Sequence, residues 1–237
     1  MRGIAMALSL KEHVRRIDTF DELMQTVREE GFLPLFHNGI RGFSVEDRTS
    51  ALRWWTGLEQ SDPWEWRALA ARSAEVAYGK FFDGRAGFIS TDWFPAFANW
   101  KRDGYDFDAL FEDGKATMRQ KKIMDLFMNG EELFSFEARR LAGFGKEGER
   151  NFEGTLTSLE KASYLVIRDF RRRANKKGGE YGWHIAVLTA PESIWGYDAV
   201  TADYPMDPYV SRQKIADHLS ALYPQAGEND ILSVLGN

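Results

Sequence analysis

Residues 148–189 read GERNFEGTLTSLEKASYLVIRDFRRRANKKGGEYGWHIAVLT, and their pattern predicts the main elements of the C-terminal half. Phe152, Leu156 and Leu159 recur at helical spacing, which predicts a helix with one buried stripe. The runs SYLVIRDF and YGWHIAVLT are rich in β-branched and aromatic residues and predict two strands. Gly178 and Gly179 allow a tight turn between them, so a helix followed by a β-hairpin is expected.

The segment before this stretch extends the pattern. TMRQKKIMDLFMN predicts a helix, ELF a short strand, and FEARRLAG a second helix. Helix, short strand, helix, helix, strand, turn, strand is the order of a winged helix-turn-helix, in which the third helix usually enters a DNA groove and the hairpin is the wing. The sequence therefore predicts a winged-helix domain over residues 113–237, with SRQKIADHLSALYP as a further C-terminal helix.

The N-terminal half, residues 1–112, is predicted to be a helical, aromatic-rich region. Helix-capping side chains and terminal glycines indicate three helices, over residues 19–31, 44–57 and 63–79. AGFIS suits a short strand and STDWFPAFANWKR a helix. For the whole chain, the expected fold class is α+β and mainly helical.

Composition limits the function classes. The 237 residues include no cysteine, which excludes disulfides, thiolate metal sites and a cysteine nucleophile. The formal net charge is -5, so the net field does not draw the molecule to DNA, and any phosphate contact must be local. The apolar stretch near the N-terminus is too short for a membrane span and lacks a signal-cleavage pattern, so a cytoplasmic protein with no membrane partner is expected.

Positive charge is concentrated at the predicted wing, where guanidinium and ammonium groups suit phosphate oxygens. The predicted DNA-binding residues are Arg168, Arg171, Arg172, Arg173, Lys176 and Lys177, with Arg150 and Lys161 on the third helix. The alternative is a solvated hairpin whose charges prevent strand pairing. Glu153 and Glu160 on the third helix would also sit near the polyanion, which argues against base-specific reading by that helix.

Aromatic residues make up 14% of the chain, with 8 Trp and 17 Phe, and they must fill a core or bind something flat. Tyr78, Trp93, Phe97 and Trp100 form a possible base-stacking pocket. Packing in the core is the alternative for all four.

Signals for catalysis and for metal binding are weak. The four histidines form no metal-spaced pair, and no HExxH, GxSxG, GxGxxG or Walker pattern occurs. The acidic residues between 103 and 113 lack the spacing of a calcium loop and read as a solvated turn. We therefore expect no metal site and no cofactor.

The segments YGKFFDGRAGFISTDWFPAFANWKR, KIMDLFMNGEELFSFEARRLAGFG and GTLTSLEKASYLVIRDF resemble the AlkZ-like (YcaQ-type) winged-helix proteins, especially the shorter AlkZ-related bacterial proteins. The resemblance covers roughly residues 64–188. It implies a cytoplasmic, DNA-associated winged-helix protein. Full-length members excise alkylated bases by hydrolysing the N-glycosidic bond, and a Gln-x-Gln motif positions the water.

This sequence departs from the resemblance at that motif, because its glutamines all stand singly: Gln25, Gln60, Gln120, Gln213 and Gln225. Asn38 and Glu75 are the polar side chains that could replace it. The first hypothesis is a DNA-binding winged-helix protein without the Gln-x-Gln catalysis. The alternatives are an active base-excision glycosylase with a changed catalytic group, and a protein-interaction module with no DNA role, so enzymatic activity and the catalytic residues stay open.

Overall fold

Two small antiparallel sheets organise the described part of the chain, with helices packed around them. The structure is a computed structural model and describes residues 15–175 and 178–236. The predicted α+β class is confirmed. Among the described helices, none combines the length and the apolar character needed to cross a bilayer.

The first sheet lies in the N-terminal half. Its strands are β1 (Phe32–Pro34), β2 (Val76–Phe82) and β3 (Arg85–Ser90), in the spatial order β1-β3-β2. The turn between β2 and β3 places Asp83 and Gly84 at φ 49° and 80°, the left-handed region that Gly enters at little cost.

Helices surround this sheet. The first begins where the sequence predicts, because the Thr19 side chain accepts a hydrogen bond from the Glu22 backbone N–H and the Glu22 carboxylate accepts one from the Thr19 backbone N–H. The helices of this half are α1 (Phe20–Glu30), α2 (Val45–Arg48), α3 (Pro63–Ser73), α4 (Phe94–Arg102) and α5 (Phe107–Glu112).

The helix predicted over residues 44–57 is much shorter in the structure. Ser44 caps it as expected, but it ends at Arg48 because Thr49 is extended, with φ -114° and ψ 162°. A single 3₁₀ turn, Ala51–Arg53, follows. The pattern of Ser cap and apolar residues therefore predicted the start of α2 and not its end.

The helix predicted over residues 63–79 also ends early. It stops at Ser73, where Ala74 adopts a left-handed conformation with φ 58°. The predicted terminator, Gly79, lies in β2, whose residues are nearly all buried. The prediction of a helical N-terminal half thus missed β2 and the sheet that it completes.

The second sheet lies in the C-terminal half, and its strand order is β4-β6-β5. The helices and strands predicted over this part are confirmed, with Phe152, Leu156 and Leu159 buried beneath the third helix. These elements are α6 (Met118–Met124), β4 (Leu133–Phe134), α7 (Ser135–Leu141), α8 (Phe152–Lys161), β5 (Val166–Ala174) and β6 (Glu180–Thr189).

The remaining helices follow β6 and return to the N-terminal half. Ile215 and Leu219 are fully buried, and their helix packs against α4. These helices are α9 (Glu192–Trp195), α10 (Tyr197–Val200), α11 (Pro208–Leu222) and α12 (Glu228–Leu235).

A buried arginine joins distant parts of the chain. Arg48 donates hydrogen bonds to both carboxylate oxygens of Glu30, at 2.6 and 2.7 Å, and to the hydroxyl of Tyr223 at 2.6 Å. Burial raises the pKa of that hydroxyl, so it stays protonated and donates to Glu30 at 2.6 Å. The three side chains therefore hold α1, α2 and the residue after α11 together.

Candidate nucleic-acid interface

The hairpin of β5 and β6 extends beyond its sheet. Among the described residues, β4 pairs with β6 at Leu188 and Val187, and the described part of the hairpin beyond them has two strands. Its outer part, the described residues 171–175 and 178–184, is exposed throughout, and we call it the distal hairpin. A two-stranded segment whose described residues are all exposed contributes little to the core.

The arginines of this hairpin fall into two groups. Arg168 donates from Nη1 to the carbonyl oxygens of Ala71 and Arg72, at 2.8 and 2.9 Å. Arg171 donates from Nε to Asp169 at 2.6 Å and from Nη2 to Glu132 at 2.7 Å. Both are held by internal acceptors, so their guanidinium groups serve the fold.

Arg172 and Arg173 form the second group. Both are exposed, and neither forms an ion pair with a carboxylate in the part of the chain that the structure describes. The Arg173 guanidinium lies 4.3 Å from the ring centroid of Phe136, at the start of α7. Lys176 and Lys177, which were predicted with them, lie outside the described residues.

Helix α7 adds cations that the sequence reasoning did not select. Arg139 and Arg140 are exposed and have no carboxylate partner among the described residues. They follow Phe136 on the same short helix, within roughly 6 Å along its axis. The signal was present in FEARRLAG, where buried Ala138 places the next two residues outward.

Helix α8 presents its charges differently from the prediction. Glu160 was expected near a polyanion, but it is 1% exposed and its Oε2 lies 3.4 Å from Lys80 Nζ. That expectation is wrong, because α8 packs with this side chain against β2. Burial raises the pKa of Glu160 to about 7, and Lys80 opposes the shift. Its Oε1 has no hydrogen-bond partner within the described part of the chain.

The neighbouring turns of α8 also contact the first sheet. Lys80 Nζ donates to the Thr157 hydroxyl at 3.2 Å, and Lys161 pairs with Asp83 at 2.6 Å. The ion pair of Lys161 with Asp83 therefore links α8 to the β2–β3 turn. Of the two cations predicted on this helix, only Arg150, just before its first turn, is exposed without a carboxylate partner among the residues described.

The four aromatic residues predicted as a stacking pocket are divided between two hydrophobic clusters. Tyr78 is buried against Phe88 and Phe170 in one hydrophobic cluster. The other three belong to a second cluster: Phe97 is buried, Trp100 meets its edge, and Trp93 stacks on His218 at 4.1 Å.

The polar residues considered for catalysis are engaged locally. The Asn38 amide donates to the Phe43 carbonyl at 2.7 Å and accepts from the Ile40 backbone N–H at 2.9 Å, which stabilises a turn. Glu75 is exposed and pairs with Arg28 at 2.8 Å. Residues 15–175 and 178–236 contain no group of three or more His, Asp or Glu side chains placed to hold a metal ion.

The protein is thus an α+β protein with an exposed, arginine-bearing hairpin. The family model described as "AlkZ related" matches residues 17–236, and the chain belongs to that family. The match confirms the resemblance seen in the sequence and relates the chain to DNA-repair glycosylases. Neither the curated proteins nor the solved structures contain a significant match.

Proposed function

We propose that this protein binds DNA through a winged helix formed by residues 113–237, with the distal hairpin as the wing. Two observations support this assignment. The elements from α6 to β6 follow the order helix, strand, helix, helix, strand, strand, and β6 lies between β4 and β5 in the sheet. Membership of the AlkZ-related family points to the same DNA-repair setting.

The observation that carries the proposal is the difference between neighbouring arginines on the hairpin. Arg168 and Arg171 satisfy internal acceptors, whereas Arg172 and Arg173 project from the distal hairpin without a carboxylate partner among the described residues. Such guanidinium groups are available for phosphate, and each contact releases counterions from the duplex. Because the net charge of the chain is -5, the attraction to phosphate comes from these local cations and not from the surface as a whole.

Helix α8 has a supporting part in this proposal. Its side chains Thr157, Glu160 and Lys161 contact β2 and the β2–β3 turn, so that face does not enter a groove. In the proposal, the contacts with DNA phosphates come instead from Arg150, just before the first turn of α8, and from Arg139 and Arg140 on α7. Binding of this kind follows the backbone and gives little base specificity.

The proposal includes binding without the Gln-x-Gln catalysis of full-length glycosylases. The sequence lacks that motif, and Asn38 and Glu75 are occupied by other contacts. Incubation of the purified protein with duplexes that carry alkylated bases, followed by cleavage at abasic sites, tests this point. We expect no abasic sites, and their formation would establish the glycosylase alternative.

Fluorescence anisotropy of labelled DNA over a salt series tests the binding. Arg172, Arg173, Lys176 and Lys177 are changed together to Ala. The logarithm of the binding constant falls with the logarithm of the salt concentration, by about 0.9 for each phosphate contact, so this variant should bind more weakly and with a shallower slope.

A matched control changes four exposed cations elsewhere, namely Arg28, Arg41, Lys115 and Lys214, to Ala. It alters the net charge equally and should keep the slope of the wild type. Equal losses in the two variants would mean that net charge, and not the wing, controls binding. Absence of wild-type binding at low salt would overturn the proposal.

A further inference from the structure

A tryptophan on the β6 strand of the distal hairpin, near its base, is almost free of protein contact. Trp183 is 91% exposed, and Tyr181, two residues earlier on β6, is 50% exposed. Tryptophan is usually packed, since its ring removes a large apolar area from water. Full exposure on a segment without a core makes Trp183 available to a flat partner.

Trp183 lies in an irregular part of β6, where the pairing with β5 shifts register. Arg171 pairs with Ile185 and Arg173 with Tyr181, so one residue of β5 faces three of β6. The excess residues form a bulge, and Gly182 within it has φ 80°, a conformation that a glycine adopts without strain. Bulges of this kind turn a strand locally and redirect the side chain that they carry.

The charges beside the bulge identify the partner. Arg172 lies opposite the bulged residues by strand register, and Arg173 is the next residue on β5. Cations that follow a phosphate backbone, interleaved with an exposed indole ring, are the pattern by which proteins bind nucleic acid with unstacked bases. An intact duplex offers no base face at its surface, whereas a single strand or a mismatch does.

We infer that Trp183, presented by the β6 bulge, stacks on an unpaired base, so the protein prefers single-stranded or mismatched DNA to a perfect duplex. This inference rests on the proposed function and deepens it. In this arrangement Arg172 and Arg173 bind the DNA phosphates, and the indole ring of Trp183 stacks on a base that is not stacked on its neighbours.

The test compares the affinities of the full chain for three labelled probes: a single-stranded oligonucleotide, a duplex with one central mismatch, and the matched duplex. Trp183→Ala, Trp183→Phe and Tyr209→Ala are measured beside the wild type. Tyr209 is the control, because it is an exposed aromatic residue on α11, 64% exposed. Since Trp183 is almost fully exposed, its replacement leaves the fold intact, which thermal unfolding checks.

We expect Trp183→Ala to weaken binding to the single strand and to the mismatched duplex by roughly tenfold, the scale of one base–aromatic stack. The salt slope should not change, because no phosphate contact is removed. Trp183→Phe should keep most of the affinity, and Tyr209→Ala all of it.

Two results would overturn the inference and leave the proposed function in place: unchanged affinity of Trp183→Ala for every probe, or an equal loss on matched and mismatched duplexes. If the wild type bound none of the three probes, both the inference about Trp183 and the proposed DNA-binding function would be wrong. The salt series and the cation variants separate these cases.

Discussion

Helix α8 and the distal hairpin are close in the chain, and their charged side chains meet different surroundings. On α8, Glu160 and Lys161 are matched by Lys80 and Asp83 of the first sheet. On the hairpin, Arg172 and Arg173 lack a matching carboxylate in the described parts of the chain. Neighbouring charged segments therefore differ in how many of their charges the fold matches, and the unmatched charges mark the candidate interface.

The largest expected effect concerns the anchoring of α8. Leu159 is fully buried beneath this helix, so Leu159→Ala should lower the free energy of unfolding by about 2 to 5 kcal/mol, the cost of lost burial and a cavity. Arg172→Ala, on the exposed hairpin, should change it by less than about 0.5 kcal/mol. Urea unfolding measures both. Similar losses in the two variants would mean that the hairpin belongs to the packed core.

The next effect depends on pH. The folded-state pKa of Glu160, about 7, lies above its ordinary value of 4.5, so its ionisation destabilises the fold as pH rises through this interval. Glu160→Gln removes that term and should flatten stability against pH. Relative to its stability at acidic pH, the variant should gain about 1 to 3 kcal/mol over the wild type by pH 8. Parallel curves from thermal unfolding between pH 5 and pH 8 would contradict a raised pKa.

Adjacent arginines should show opposite effects. Arg171→Ala removes partners from Asp169 and Glu132 and should cost about 1 kcal/mol of stability while the salt slope of DNA binding stays the same. Arg172→Ala should keep the stability and reduce that slope by about 0.9. Urea denaturation measures the stability of both variants, and fluorescence anisotropy over a salt series measures the slope of their DNA binding. If Arg171→Ala alone changed the slope, the division of the arginines into two groups would be wrong.

The smallest effect concerns the bulge. Gly182→Ala forces a side chain into φ 80°, a local cost of about 1 kcal/mol. Because the described residues of the distal hairpin are all exposed, it should open without global unfolding. Hydrogen exchange should become faster at the Arg173–Tyr181 pair, while the melting temperature moves little. A fall in melting temperature as large as that of Leu159→Ala would show that the hairpin and the core unfold together.

Local signals in the sequence predicted much of the fold. The capping boxes at Thr19 and Thr117 each depend on residues within one turn, so both helix starts are visible in the sequence. The hairpin could be predicted for the same reason, from two strand-forming runs and a glycine turn. The early end of α3 could not, because Ala74 enters the left-handed region without a glycine or proline signal.

The candidate site was less predictable, since its charges depend on partners far along the chain. Glu160 lies four residues after Leu156, so helical spacing places it beside the buried stripe, but its partner Lys80, on β2, is far away in the sequence. Arg171 and Arg172 are adjacent in sequence, and contacts with Asp169 and Glu132 distinguish the first from the second. The exposure of Trp183 was missed because an aromatic residue in a strand usually signals burial.

The contact of Arg48 with Glu30 and Tyr223 has a consequence for biosynthesis. Arg48 and Tyr223 are 175 positions apart, so the buried cation gains this partner only after Tyr223 has left the ribosome. Until then the Arg48 guanidinium and the Glu30 carboxylate, which are buried or partly buried in the folded protein, lack their third partner. Contacts between residues this far apart in sequence form late in folding. We therefore expect the nascent N-terminal half to remain protease-sensitive, and a ribosome-stalled chain ending before Tyr223 should be cleaved where the released protein resists.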